Sequence, residues 1–429
     1  MNRCDHYVWL LLIIGSLGRV SSVTPCVAAP PNILMISIDD LNANVGYLHG
    51  DLRSQTPSLD AIAAHSARYM DAHATAPVCV ASRTSLLWGV QPSTTGITTG
   101  WLPAVQQYRE FRNTTALKNI VQLLAENGYH TMGAGKVFHE HNPDDWHESL
   151  EQPHLPDPIL NHGALDPSVT HPDRKIADWA IEKLSTSYEK PFLLAVGFHL
   201  PHLPMLAPQA FIDDHRLAGV TLQPVEPNDL DDLGPIAIQH AMQPLLLGIP
   251  YYDAVSAEDL RSQTRSYKAC VSHTDHQIMR LIEHLTYSIH RKSVVIVIWS
   301  DHGYHLGAKR HIGKATLWSE STQVPLLIHA PDFIPPGPVN QPVSLLDVAP
   351  TIAEIAGVPR PAHFEGESLV GYTGERSILV TTFYEDSVTT IDAETRVTEH
   401  SDADGVVTEV ERYNRIEDPY ERNNLATGD

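Results

Sequence analysis

Three short apolar runs constrain this chain more than any other feature: Asn32–Ile38, Phe192–Phe198 and Ser293–Trp299. Each is brief, strongly apolar and, in two of the three, rich in β-branched residues, so each reads as a buried strand. Between them lie the amphipathic stretches Ser58–Met70, Leu117–Asn127 and Thr274–Leu285. Strands alternating with helices predict an α/β fold, with a mainly parallel sheet flanked by helices. In such sheets ligands gather beyond the C-terminal strand ends. All three runs end there in polar residues: Asp39-Asp40, His199 to His202, and Asp301-His302.

Two segments lack periodicity, His139–Arg174 with its Pro, His and Asp, and Leu203–Tyr252 with many prolines and the acidic run Asp229–Asp232. Long irregular stretches inside a domain are usually functional or disordered, which assigns these to the rim of the site. The proline-rich Pro331–Pro342 suggests a division between an α/β catalytic domain at 30–335 and a smaller C-terminal α+β subdomain at 336–429. Strands are expected in the latter around Ile378–Thr382 and Val406–Val410.

The chain opens with Arg3, the apolar stretch Val8–Leu17 and Val27-Ala28-Ala29 before Pro30. That order predicts a secretory signal at 1–29 and export to a periplasmic, secreted or lysosomal-type compartment. The stretch is too short for a membrane span, and no later segment is long and apolar enough to be one. Loss of the leader removes Cys4 and Cys26 and leaves Cys79 and Cys270, so the folded chain stands on its core and not on a disulfide framework. Cys270, beside Ala269 and Val271 in a helical stretch, reads as a core thiol. With 29 basic against 51 acidic residues the formal charge is −22, which argues against nucleic acid as a partner. An anionic substrate would need a local basic site.

Asp39, Asp40, Asp301 and His302 supply three carboxylates and an imidazole from two strand ends, and hard oxygen donors of this kind suit calcium or magnesium. Adjacent aspartates after a single strand are more often turn or helix-cap residues; agreement between two distant pairs favours the metal. Cys79-Val80-Ala81-Ser82-Arg83 then leads into Thr84–Gly89.

Taken together, Ile38–Asn42, Cys79–Arg83, Gly135–His139, His199–His202, Ser300–Gly303, Gly313-Lys314 and Glu417–Leu425 resemble the type I sulfatases. These are the formylglycine-dependent members of the alkaline phosphatase superfamily, and the likeness is to the iduronate 2-sulfatase group. It covers almost all of the chain after the leader. The resemblance implies a divalent cation, calcium or else magnesium, held by Asp39, Asp40, Asp301, His302 and a Cys79 oxidised to formylglycine by a maturation enzyme. It further implies that one hydroxyl of the formylglycine hydrate attacks sulfur, the alcohol leaves, and the second hydroxyl collapses to the aldehyde and expels sulfate. Arg83 would orient the diol and His139 would take a proton. Lys136, His202 and Lys314 would meet the sulfate and bridging oxygens, with His202 or Lys314 protonating the leaving alcohol.

Departures from the family pattern bear on specificity. Ala81 stands at a position commonly proline, Leu200 where the iduronate enzymes usually carry lysine, and Ala308–Gly313 differs from their sequence. Lys309, Arg310 and His311 are accordingly expected to replace the lost positive charge and meet a uronate or second sulfate on a sulfated carbohydrate substrate. Two other readings stay open at this point: a phosphoester or phosphonate hydrolase of the same superfamily, and an inactive sulfated-glycan binder with an unoxidised Cys79.

Overall fold

Asn32–Ile38 (β1) has neighbours on both sides and a buried surface on both faces, which is why nearly every side chain in it is apolar. The structure, a computed structural model, describes residues 29–48, 54–98, 101–151, 155, 160–223, 225–242, 252–372, 377–381, 387–402 and 404–428. The expected signal segment, apart from residue 29, lies outside the described residues. Seven further strands join β1 in one sheet: Ala67–Tyr69 (β2), His130–Gly135 (β3), Glu148–Leu150 (β4), Phe192–Phe198 (β5), Val294–Ser300 (β6), Leu326–His329 (β7) and Gly337–Val339 (β8). Their order is β8-β2-β7-β6-β1-β5-β3-β4. From β6 to β4 the strands run parallel, whereas β7 opposes both of its neighbours.

Alternation along β1 sends Ile33 and Met35 to one face and Leu34, Ile36 and Ile38 to the other. The first face is covered by helices Cys79–Trp88 (α1) and Val348–Ile355, the second by Pro172–Leu184 (α2) and the 31-residue Ala257–Tyr287 (α3). Ile176, Ala177, Ala180 and Leu184 of α2 recur at helical spacing and form its buried stripe.

Register decides where the polar strand ends meet. Ile38 lies opposite both Phe198 and Ser300, and Gly135 opposite Gly197. Residues 39–40, 136, 199 and 301 therefore leave the sheet at one edge. Two glycines permit this closeness: Gly135 has φ 71, and a Cβ on it would strike the Gly197 carbonyl, while a Cβ on Gly197 would strike the carbonyl group of Lys136.

Two expectations are corrected by packing. Ser58–Met70 is not one helix: Pro57–Ala63 is helical, and β2 follows because β7 and β8 supply it with ladders on both sides. The large sheet and its core also continue beyond residue 335 through β8, Val348–Ile355 and Leu369. Proline in this region is compatible with the sheet because β8 is an edge strand. A separate antiparallel sheet, in the order Ile378–Thr381 (β9), Val388–Ile391 (β10), Thr395–Ser401 (β11) and Val407–Asn414 (β12), starts only at Ile378. Among the described residues no helix is long and apolar enough to cross a membrane.

Candidate active site

Helix α1 follows an extended Val78 (φ −148°, ψ 142°) and stops at Gly89, whose left-handed conformation (φ 67°) returns its N–H to the Ser85 carbonyl. All ten of its residues are buried, although four of the first seven, Ser82, Arg83, Thr84 and Ser85, are polar. Ser82 and Arg83 are inside because the helix start is moored to the sheet edge: Ser82 Oγ donates to the Asp301 carbonyl at 2.6 Å. Cys79 thus occupies the first turn, where amide N–H groups lack helical acceptors and the local potential is positive. Ala81 lies in the same turn, so its N–H is one a proline there would not miss.

At the end of β1 the chain turns through a left-handed Asp40 (φ 62°). This conformation costs roughly 1–2 kcal/mol for a residue with a side chain. It is held by the Asp40 N–H on Asp301 Oδ1 (3.1 Å) and by the Tyr267 hydroxyl, which donates to the Asp40 carbonyl (2.8 Å) and accepts the Asn42 N–H (2.9 Å). Ser300 Oγ contacts the Ile38 carbonyl and accepts the Leu41 N–H, each at 3.0 Å, tying the ends of β1 and β6 together.

Arg83 is fully buried and spends its fork on this corner. Its Nε is 2.8 Å from Asp301 Oδ2 and its Nη2 3.3 Å from Asp39 Oδ1, while Nη1 faces Ser37 Oγ (3.3 Å) and the Lys136 and Val137 carbonyls. The guanidinium also lies 5.3 Å from the centre of the Trp299 ring. A lysine could not reach so many acceptors in these directions.

Lys136 pairs with Asp39, and Lys314 Nζ pairs with Asp40 Oδ1 at 2.6 Å. Around the Cys79 sulfur stand Lys314 Nζ at 2.9 Å, His302 Nε2 at 3.2 Å, Lys136 Nζ at 3.9 Å and Asp40 Oδ1 at 4.0 Å. Three carboxylates and three fixed cations, Arg83, Lys136 and Lys314, balance in charge, as groups removed from water require.

Electrostatics sharpen the assignment of states. Burial would raise the Asp39 pKa, but the fixed cations Lys136, Arg83 and Lys314 together hold its carboxyl well below the usual carboxylate range. Burial, reinforced by Asp39, pushes the Cys79 thiol up to about 12. An unmodified Cys79 is therefore a protonated thiol near neutral pH and a weak nucleophile. Burial and Lys136 lower His139 to about 3 and push His202 well below its ordinary value, so both rings are neutral.

The structure brings together most of the side chains singled out in the sequence. Ligating atoms of Asp39, Cys79, Asp301 and His302 lie within 4.8 Å of one another, as do those of Asp39, Asp40, Cys79 and His202. His139 is half-buried and feels the charges of Lys136, Asp39, Arg83 and Lys314. The expectation for 309–311 is corrected. Lys309 is buried with Nζ 2.9 Å from Asp229 Oδ1, between the Trp318 and Tyr413 rings. His311 is buried with both ring nitrogens 2.9 Å from carbonyls, those of Ala241 and Lys314. Neither is free to meet a sugar, and Arg310 is paired with Asp253.

Other contributors, some of them inside those motifs, have no role that the sequence assigns. His199 sits with Nδ1 3.7 Å from Asp39 Oδ2 and its ring 4.7 Å from that of His202, although the motif comparison credits only the latter. Tyr267, Ser37, Ser82 and Ser300 look like ordinary helix or strand residues in sequence. Only their position close to the polar strand ends, beside Arg83 in α1, or on the buried face of α3 could have hinted at their roles.

Comparison with known proteins agrees with this arrangement. The sulfatase family model matches residues 31–358, and a second model, N-sulphoglucosamine sulphohydrolase C-terminal, matches residues 307–428. A sulfatase of Formosa agariphila is 32% identical, over 79% of this chain and 72% of its own length. Human iduronate 2-sulfatase is 31% identical, over 76% of this chain and 64% of its own. A solved structure described as a 2-O GAG sulfatase superposes with a TM-score of 0.72 at 20% identity, covering 93% of this chain and 88% of that one. Because the first family match runs from the central strand to the helix that closes the first face of the sheet, the whole catalytic layer lies within it, and the chain belongs to the sulfatase family, hydrolases of sulfate esters.

Proposed function

We propose that this enzyme is an exported sulfatase acting on a sulfated glycan, in the manner of an exo-acting iduronate 2-sulfatase, with formylglycine formed from Cys79. The observation that carries the reading is the convergence of Lys136, Lys314 and His302 within 4 Å of a buried thiol that is itself a poor nucleophile. Conversion to a hydrated aldehyde by a maturation enzyme would supply the attacking oxygen that a protonated thiol cannot.

The donor set also fits a divalent cation. Asp39, Asp40 and Asp301 are hard oxygen donors, buried and convergent, with His302 beside them; calcium is preferred and magnesium also fits. Bound there, the ion would offset charge building on the sulfate oxygens. Added to a centre whose own charges cancel, it would leave a net positive site suited to an anionic ester.

The chain's own groups then divide the work. Arg83 holds Asp39 and Asp301 in place and orients the residue at position 79. Lys136 and Lys314 turn from their carboxylates toward sulfate oxygens. His202 has Nδ1 2.6 Å from the Leu203 carbonyl, so that nitrogen carries the proton and Nε2 faces the site as an acceptor. With an anionic substrate bound, Nε2 takes up a proton and delivers it to the leaving alcohol. His139, neutral beside Lys136, accepts the proton released when sulfate departs. The uronate assignment is supported by the 31% identity to human iduronate 2-sulfatase and by the shared motif order.

The test is the mass of the tryptic peptide 69–83 from protein made in its native host or with a formylglycine-generating enzyme. Aldehyde at Cys79, with turnover of 2-O-sulfated uronate disaccharide exceeding that of aryl phosphate, is the expected result. A fully active protein whose Cys79 remains a thiol would overturn the nucleophile assignment.

A further inference from the structure

On the α2–α3 side of the sheet a cavity of about 490 Å³ opens between the start of α2 and the middle of α3. Its walls include His171, Arg174, Phe211, His273, His276 and Arg280. None of these takes part in the chemistry at Cys79. His171 and His273 are each 2% exposed, with rings 4.7 Å apart at 61°.

Hydrogen bonding fixes which nitrogen of each ring carries its proton. His171 caps the 13-residue α2, and its Nδ1 accepts the Asp173 N–H at 3.0 Å. Burial lowers this ring to about 4, so it is neutral and the proton is on Nε2. Gln277 Oε1 accepts from Arg280 Nη1 at 2.9 Å, which turns the Gln277 amide nitrogen toward His273 Nε2 at 3.3 Å. His273 Nε2 is therefore an acceptor and Nδ1 bears the proton. Both proton-bearing atoms, His171 Nε2 and His273 Nδ1, are buried and have no hydrogen-bond partner. Leaving a buried donor unpaired costs about 1–3 kcal/mol.

We infer that this cavity is a second, non-catalytic oxyanion site that takes a sulfate group, free or carried on a saccharide. His171 and His273, each with a buried and unpaired imidazole N–H, are among the wall residues, two guanidiniums that share Asp178 stand with them, and the start of α2 adds its dipole. A volume of this size is in the range of small-molecule pockets, enough for a sugar unit with its sulfate.

A metal ion fits less well, although ligating atoms of His171, Asp173 and His273 lie within 4.8 Å. The lone pairs of His171 Nδ1 and His273 Nε2 already accept hydrogen bonds. Both Asp173 oxygens hold backbone N–H groups, those of His199 at 2.9 Å and Leu200 at 3.0 Å. The remaining acids are also engaged: Asp178 pairs with Arg280 and lies 3.9 Å from Arg174, and Asp166 Oδ1 binds Ser168. The inference does not depend on the chemistry proposed at Cys79.

The decisive experiment is a titration of intact protein carrying ¹⁵N-labelled histidine, first with sodium sulfate at constant ionic strength and then with a sulfated disaccharide. Imidazole signals of His171 and His273, assigned with H171N and H273F, should shift at millimolar ligand. Shifts with both ligands identify the sulfate group as sufficient, and shifts with the disaccharide alone identify a saccharide-borne sulfate; either supports the site. Asn at 171 keeps a helix cap, so H171N/H273F should fold, lose one bound sulfate in equilibrium dialysis and keep kcat/KM for an aryl sulfate within twofold. R174Q/R280Q, changed in the cavity wall, should weaken sulfate binding at the same site by about 10²-fold if each of the two lost charge-assisted contacts is worth what such contacts usually are. Unmoved imidazole signals in both titrations, or a double variant binding as much sulfate as the parent, would overturn the inference.

Discussion

Buried charge is handled in two ways in this molecule. Beside the C-terminal sheet it is closed into local partnerships: Lys309 with Asp229, Arg396 with Glu421, and His400 with a Glu411 that also receives Trp318 and Tyr413. At the edge of the large sheet the pairs are shared, and they converge. Asp39 meets Arg83 and Lys136, Asp40 meets Lys314, and both lysines lie within 4 Å of the same sulfur. Closed pairs hold two segments together. Convergent pairs keep several charges aimed at one point, where an incoming anion can take over partners that are already in place.

That contrast predicts opposite effects for similar substitutions. The largest is expected for Cys79→Ala, which removes the point of convergence. Turnover of an aryl sulfate should fall by at least about 10⁴-fold, a loss of the size seen when a nucleophile is deleted. Lys314→Ala should lower kcat by about 10²–10³-fold, in line with removal of one preorganised charge stabiliser. Steady-state kinetics with matched thermal melts check both, and a large fall in Tm without a kinetic defect would place the lysine among the closed pairs.

Lys309→Met should do the reverse. It keeps the apolar stem between Trp318 and Tyr413 but leaves Asp229 without its ammonium partner, at a cost on the order of 3 kcal/mol. Urea unfolding should show this loss while kcat/KM for aryl sulfate and for sulfated disaccharide stays the same. A selective rise in KM for the disaccharide would restore Lys309 to the substrate site.

The case of Lys309 shows what sequence can and cannot carry here. The polar ends of β1, β5 and β6 were legible because parallel strands of equal length deliver their last residues to one edge, and the Cys79–Arg83 motif could be placed on the adjoining helix. Lys309-Arg310-His311 was misread because a run of bases following the site resembles a binding patch. Its partners, Asp229, Asp253 and the Ala241 carbonyl, lie roughly 60 to 80 residues away, in or just beyond the proline-rich stretch 203–252, and nothing in the local sequence ties them to it. The boundary at residue 335 failed for a related reason, since local proline content says nothing of the β2 edge that accepts β8. His199 and Tyr267 likewise act through contacts across the fold.

Buried groups outside either class give a smaller, pH-dependent effect. Burial lowers His171 and His240 to about 4 and raises Asp173 to about 6. Between pH 4 and 6 the unfolded chain holds two more protons on the histidines, and the folded chain one more on Asp173, a net excess of one in the unfolded state. Stability from these three groups therefore falls as pH is lowered through that window, by about 1.4 kcal/mol per pH unit. The histidine contribution is fully present only above their unfolded pKa near 6.5, whereas the Asp173 contribution opposes it and is lost as pH rises toward 6. Chemical unfolding at several pH values measures the slope, and H171N should flatten it by cancelling one of the two histidine protons.

The smallest effect tests the boundary between the two classes. Arg310 pairs with Asp253 as Lys309 pairs with Asp229, but here both side chains remain a third or more exposed, at 33% and 44%. Water and salt screen such a pair, so Arg310→Ala should cost no more than about 1 kcal/mol, and less at high ionic strength. Its backbone is left-handed at φ 50°, a conformation that alanine tolerates no better and glycine tolerates freely. Arg310→Gly should therefore be no less stable than Arg310→Ala even though it removes more of the side chain. If Arg310→Ala instead destabilised the protein as much as Lys309→Met, desolvation would not be what separates the pairs, and the distinction between closed and convergent charge would have to rest on connectivity alone.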